Sequence, residues 1–285
     1  MKVSVAVLAG LVFAAAPASR AQVPVPPDQT SPGNPVQSVP ADVTGATRVE
    51  YDDKNQQVAL EGAPVVVVHG TLRLAAPQIR YSVKEHQVSL PGGGTVSSPT
   101  IEVTADRIDA WLRTRHVTAE GHVHGRFLLE GSWAAFAAGR VEADDRPDAR
   151  QIVATGDVVV KREDAELHGD RLAYDRLTQQ GTLDGHAELI RGSDRLRADH
   201  LIAYVDRREV EAHDHVLLDR EDMQGSADQA TYTEPTQTAV LSGHVVLTRG
   251  KDTLTAERVT VHLDQHTAIA EGRPQMVAYP PEPSP

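Results

Sequence analysis

Apolar residues recur at every second position in runs of about five, and each run ends in a polar turn. Val158 and Val160, Ala187 and Leu189, Val216 and Leu218, and Val245 and Leu247 stand two and four residues after a glycine, or after Asp214 in its place. Alternation with period two predicts β-strands. A turn spelled RGSD, REDM or RGKD follows, and a second run opens with Leu167, Leu196 and Leu254, with Gly225 as the exception. It then passes a small residue and an acid, as in Ala105-Asp106, Gly169-Asp170, Ala198-Asp199, Ala227-Asp228 and Ala256-Glu257. Alternation resumes at Leu172 and Tyr174, Leu201 and Ala203, Ala230 and Tyr232, and Val259 and Val261. The step across each small-acid pair is odd. In a flat strand an odd step would turn one side of the apolar set to solvent, so a bulge or sharp bend is expected there.

The whole unit repeats. LDGHAELIRGSDRLRADHLIAYV and LSGHVVLTRGKDTLTAERVTVHL align glycine under glycine at an offset of 58 residues, and Asp214 halfway between them sets the period at 29. The apex glycine falls at Gly92, Gly121, Gly156, Gly185, Gly243 and Gly272, with Gly62 one residue out of step. Only the interval from Gly121 to Gly156 is irregular, and VEADDRPDAR is read as the inserted loop. Each unit reads as a hairpin of two long strands folded in their middles, joined to the next by turns such as YDRLTQQG, VDRREV, TEPTQT and LDQHT. Units of this kind bury their apolar face only against their neighbours. Stacking them predicts two antiparallel sheets that meet along a bent spine and open on the other side as a trough with aliphatic walls. With strands about 4.8 Å apart, the rod is roughly 70 to 80 Å long.

The ends differ from the repeats. Met1-Lys2, an apolar run from Val3 to Ala18, and Ser19-Arg20-Ala21 read as a signal peptide over residues 1–21. Residues 22–45 are rich in proline and polar residues and read as a disordered linker, residues 46–279 as the repeat domain, and residues 280–285 as a disordered tail. The mature chain is therefore expected to be exported. No cysteine is present, which removes disulfides and thiolate metal sites. A net charge of −12 argues against nucleic acid as a partner.

Against this background EGHV, TGDVVV and SGHVVLTRGKDTLTAERVTVHLDQHTAIAEGRPQMVAY resemble the OstA-like, LptA-type family of periplasmic lipopolysaccharide-transport proteins. The likeness is G-[DH]-V, then L-x-A-[DE] with alternating apolar residues, then a polar turn and an apolar return to glycine. It covers residues 47–279. The resemblance implies an elongated open β-jellyroll, a V-shaped two-sheet trough that shields acyl chains and stacks end to end into a bridge toward the outer membrane. The chain is longer than typical members and adds the proline-rich leader and the loop near residues 142–150.

Candidate residues follow from parity. The trough wall is expected at Val158, Val160, Leu172, Tyr174, Leu189, Leu201, Val216, Leu218, Tyr232, Val245, Leu247, Val259 and Val261. Arg162, Arg191, Arg220 and Arg249 share the sixth position after the apex, inward and next to a turn, along one lip. They suit head-group phosphates, which guanidinium binds bidentately. They equally suit a solvated strand end whose aliphatic stems cover apolar neighbours. His122, His186, His215 and His244 follow an apex, so they are expected to face outward and alternate with carboxylates along the spine. One repeat apart is about 10 Å, too far for two imidazoles to share a metal held at about 2.1 Å. No metal, cofactor or catalytic site is expected, because acids recur as repeat positions and no nucleophile stands out.

The partners expected are the acyl chains of lipopolysaccharide or a related glycolipid, and other jellyroll proteins or a second copy through the sheet edges at Val49–Asp53 and Met276–Tyr279. Two alternatives stay open: a parallel β-helix acting on polysaccharide, and a spacer with a filled core. Sugar binding favours aromatic platforms, and only 4% of the chain is aromatic.

Overall fold

The computed structural model of the protein describes residues 42–279 apart from 70, 130–131, 145–150, 176, 205, 221–222, 263 and 266. The expected signal peptide, most of the linker, the tail and the larger part of the inserted loop lie outside the described residues. Nineteen strands make up the elements among them. The first nine are β1 (Asp42–Asp52), β2 (Gln57–His69), β3 (Leu72–Ser82), β4 (Gln87–Leu90), β5 (Gly94–Ser98), β6 (Ile101–Ala105), β7 (Arg107–Trp111), β8 (His116–Leu129) and β9 (Ser132–Asp144). The others are β10 (Gln151–Arg162), β11 (Ala165–Asp175), β12 (Gln180–Arg191), β13 (Asp194–Tyr204), β14 (Glu209–Arg220), β15 (Met223–Thr233), β16 (Thr238–Arg249), β17 (Asp252–His262), β18 (Thr267–Glu271) and β19 (Gln275–Val277). Because β1 begins at Asp42, the last four residues assigned to the linker are strand.

Every pairing is antiparallel, and strands lie in space in the order of the chain. The pairs β4 and β5, β6 and β7, and β18 and β19 are halves of single bent strands, since each pair shares one neighbour. Short turns allow only antiparallel neighbours, so the topology follows from the spacing of the runs. A coil wound in parallel is excluded.

The strands bend where the sequence says they must. Register shifts fall at Gly169-Asp170 and Ala198-Asp199, and on the facing strands at Gly185-His186 and Asp214-His215. Leu196 and Leu201 therefore both reach the core although the step from one to the other is odd. Gly185 has a left-handed φ of 72°, and a Cβ there would sit 2.3 Å from Asp170 Oδ2, so only glycine fits. Asp214 takes the same backbone at φ 62°, a conformation that aspartate tolerates better than most residues. In the first repeats the bend glycines are Gly93 and Gly45, and not the expected Gly92 and Gly62, which lack a left-handed φ. A Cβ on Gly45 would meet the Pro64 carbonyl oxygen at 2.3 Å, so the tight approach lies on β1.

The two inner faces pack on each other. One core cluster runs through Val65, Ile79, Leu90, Ile108 and Val123, and a second through Leu183, Leu189, Leu196, Leu201, Val216, Leu241, Val245 and Val259. A small third cluster, Ala138, Ala154, Val158 and Val160, joins them. It shares Phe136 and Val141 with the first and Leu167 and Leu172 with the second. The core is thus one apolar strip along the rod.

Candidate functional site

The thirteen residues expected in the trough wall stand at two depths. Val158, Val160, Leu189, Leu201, Val216, Tyr232, Val245 and Val259 are buried against other side chains, so they are core and not open wall. Leu172, Tyr174, Leu218, Leu247 and Val261 are only half-buried. Along β14 and β16 depth follows distance from the bend: Val216 and Val245, two residues past the apex, are sealed, while Leu218 and Leu247, four past it, are not. Leu172, Leu218, Leu247 and Val261, with Leu167 and Leu254, are half-buried and pack against the second cluster.

The four arginines are the last residues of β10, β12, β14 and β16. Carboxylates of the neighbouring turns engage two of them. Arg191 Nε donates to Asp164 Oδ2 at 2.8 Å, and Arg220 Nε lies 3.4 Å from Asp194 Oδ2. The hydrogen bond from Arg191 holds the Asp164 carboxyl below its ordinary range. Arg162 is half-buried and Arg249 is exposed. Sequence reasoning missed the aspartates, although RED and RGSD spell an acid just beyond Arg162 and Arg191.

At the bends the sheet carries an exposed ladder of pairs. Nδ1 of His122, His186, His215 and His244 lies 2.6, 2.9, 2.8 and 2.8 Å from a carboxylate oxygen of Asp106, Asp170, Asp199 and Asp228. One unit further, Arg273 and Glu257 replace imidazole and aspartate at 2.6 Å. The hydrogen bond that His215 donates to Asp199 is the main cause of its raised pKa, and the one His200 donates to Asp184 does the same there. The HVH and HDH triplets have local uses: His124 Nδ1 donates to the His122 carbonyl at 2.8 Å, and His213 Nε2 is 3.1 Å from Glu211. Among the described residues no three potential ligands converge on a metal position.

Among the described residues β1 pairs only with β2 and exposes Val43, Val49 and Tyr51. Among them too, β18 and β19 pair only with β17 and expose Ile269, Met276 and Val277. Beyond β19, the Tyr279 amide donates to Asp252 Oδ1 at 2.8 Å and ties the chain down.

The family described as LptA/(LptD N-terminal domain) LPS transport protein matches residues 43–180 and again residues 169–267. The chain belongs to that family. The matches together span nearly every strand, so this LPS transport protein carries the family pattern along both halves of its rod. The family is one of transport proteins, not of enzymes. Among solved structures the chain is similar to LptH from Pseudomonas aeruginosa, the LptA homologous periplasmic component of the conserved lipopolysaccharide transport device. Identity is 16%, the alignment covers 52% of this chain and 95% of that one, and the TM-score is 0.26. No curated protein matches the chain.

Proposed function

We propose that this protein is a periplasmic carrier that holds the acyl chains of lipopolysaccharide, or of a related glycolipid, in its furrow and passes them along an end-to-end stack of sheets. The observation that supports this most is the continuous apolar strip, half-buried at Leu172, Leu218, Leu247 and Val261, in a member of a transport family. Burying one methylene is worth about 0.8 kcal/mol, so a tail of about twelve carbons supplies at most roughly 9 kcal/mol. An exposed ion pair gives about 0 to 1 kcal/mol, so the arginine lip orients a head group more than it holds it. Open edges at β1 and β19 are templates for strand addition by another jellyroll chain or a second copy.

The sealed stretch around Val216, Val245 and Val259 favours a second reading, a spacer that binds no lipid. Solvent extraction of the purified protein followed by mass spectrometry separates the two. A carrier yields an amphiphile in near-stoichiometric amount; a well-folded sample that yields none leaves only the spacer.

A further inference from the structure

Three turns in the first half share a cation. The turns that follow β1, β3 and β7 read Asp53-Lys54-Asn55-Gln56, Val83-Lys84-Glu85-His86 and Leu112-Arg113-Thr114-Arg115, and each closes on a residue with left-handed φ, at 51°, 52° and 53°. Backbone hydrogen bonds join them into one row: the Val83 amide donates to the Gln56 carbonyl and the Leu112 amide to the His86 carbonyl, both at 2.9 Å. Lys54, Lys84, Arg113 and Arg115 are exposed, and none has an ion pair among the described residues. Beside them Val83 and Leu112 expose 39% and 52% of their surface. Between the first two turns an open hollow is lined by Lys54, Asn55, Gln57, Ser82, Lys84 and Glu85.

The turns of the second half do not repeat this. Leu177, Asp206 and Pro235 stand where Lys54, Lys84 and Arg113 do, two residues before the left-handed Gln179, Arg208 and Gln237. Two cations there are engaged within the fold: Arg207 lies 3.4 Å from Glu209, and Arg208 pairs with Glu234. The acids in and beside the first three turns are Asp52, Asp53 and Glu85. Asp52 accepts from Asn55 and Asp53 from the Tyr51 hydroxyl, and the third turn contains no acid. The net charge of −12 weighs little at this place, because exposed charges farther off than about 8 to 10 Å are screened. An acidic protein surface would answer the cations but not the bare aliphatic side chains beside them. A bilayer answers both, since lipid phosphates attract ammonium and guanidinium groups while aliphatic side chains pass beneath them to the acyl boundary.

We infer that these three turns dock the protein on an anionic phospholipid surface. Lys54, Lys84, Arg113 and Arg115 meet the lipid phosphates, the hollow between Lys54 and Lys84 takes one of them, and Val83 and Leu112 enter beneath. This docking does not depend on whether the furrow holds an acyl chain.

The test floats the chain from Gln22, the form expected after export, with vesicles of phosphatidylcholine alone or of phosphatidylcholine mixed with phosphatidylglycerol. The native protein is expected to float with the mixed vesicles only, and to be released by high salt. Lys54→Glu with Lys84→Glu is expected to weaken that binding about tenfold or more, since each cation at an anionic surface contributes roughly fivefold. The melting temperature should not change, because neither side chain has an ion pair within the fold. Arg73→Glu with Arg258→Glu, the same change of charge at exposed positions outside the three turns, is expected to weaken binding much less. Val83→Ser with Leu112→Ser is expected to weaken it about threefold, and by a similar factor at low and high salt, since apolar burial is not screened. The inference falls if the native protein floats with neither vesicle or equally with both. It falls as well if Lys54→Glu with Lys84→Glu loses no more than Arg73→Glu with Arg258→Glu, or if Val83→Ser with Leu112→Ser changes nothing.

Discussion

The two halves of the rod share a fold and differ in what they attach to it. From β10 onward the spine carries four successive acid–base pairs, ending at Glu257–Arg273, and one lip carries the arginine row. From β1 to β9 the spine has one such pair, Asp106–His122, with Pro77 and Gly139 at places where the later strands hold the acid. The lip changes too. β2 and β5 end in His69 and Ser98, and β8 places Phe127 six residues past Gly121, where later strands have arginine. Leu72, Ile101, Leu128 and Trp133 stand exposed near these turns, and the Arg126 guanidinium lies 4.8 Å above the Trp133 ring. Parity and bend are therefore common to both halves, whereas the chemistry at the strand ends is free to diverge, because turns and lips take no part in the packing that fixes the register.

The largest effect expected on this contrast comes from the core. Val216 has 0% of its surface exposed, at the centre of the second cluster. Val216→Asp places an unpaired carboxylate there and is expected to cost about 4 kcal/mol or more. Hydrogen exchange should then show β11 to β17 losing protection first, while β2 to β8, which have a cluster of their own, hold theirs. Simultaneous loss along the whole rod would mean that the small cluster at Ala138, Ala154, Val158 and Val160 couples the halves into one unit.

That test also marks what the sequence can say. Alternation and the odd step at the small-acid pairs are enough to derive strands, bends and antiparallel order, because each is a constraint of backbone geometry. The depth of a wall residue is not legible in the same way. Val216 and Leu218 have the same parity and similar hydrophobicity, yet Val216 is sealed and Leu218 is not, while Val160 and Leu189, which like Leu218 stand four residues past an apex, are buried. Bend glycines were misplaced in the first repeats for a related reason: Gly92 and Gly93 are adjacent, and only the backbone tells which one turns left-handed.

A smaller effect is expected at the lip. Arg191→Ala combined with Arg220→Ala frees Asp164 and Asp194 and removes two guanidinium groups from the second half. Affinity for a phosphate-bearing glycolipid should fall about fivefold at low salt, and less at high salt, since exposed charges are screened over a Debye length of about 8 to 10 Å. Affinity for an uncharged lipid of the same chain length should not change. Equal losses for both lipids in calorimetric titration would instead assign the two stems to packing.

The smallest effect separates the halves by pH. Contacts with Asp184 and Asp199 raise the folded pKa values of His200 and His215 above the ordinary 6.5. A base whose pKa is raised by folding binds its proton more tightly in the folded state, so the contribution to stability is complete below pH 6.5. It fades as pH rises through the raised folded values, when the imidazoles become neutral. Both side chains lie on the exposed spine, so the effect amounts to a small drift in melting temperature between pH 5.5 and 8, downward as pH increases. His200→Gln with His215→Gln should flatten that drift, and hydrogen exchange should locate the lost pH dependence in β13 and β14. A drift that survives the double substitution unchanged would transfer the pH response to other groups and leave the second half's ladder without a measurable role in stability.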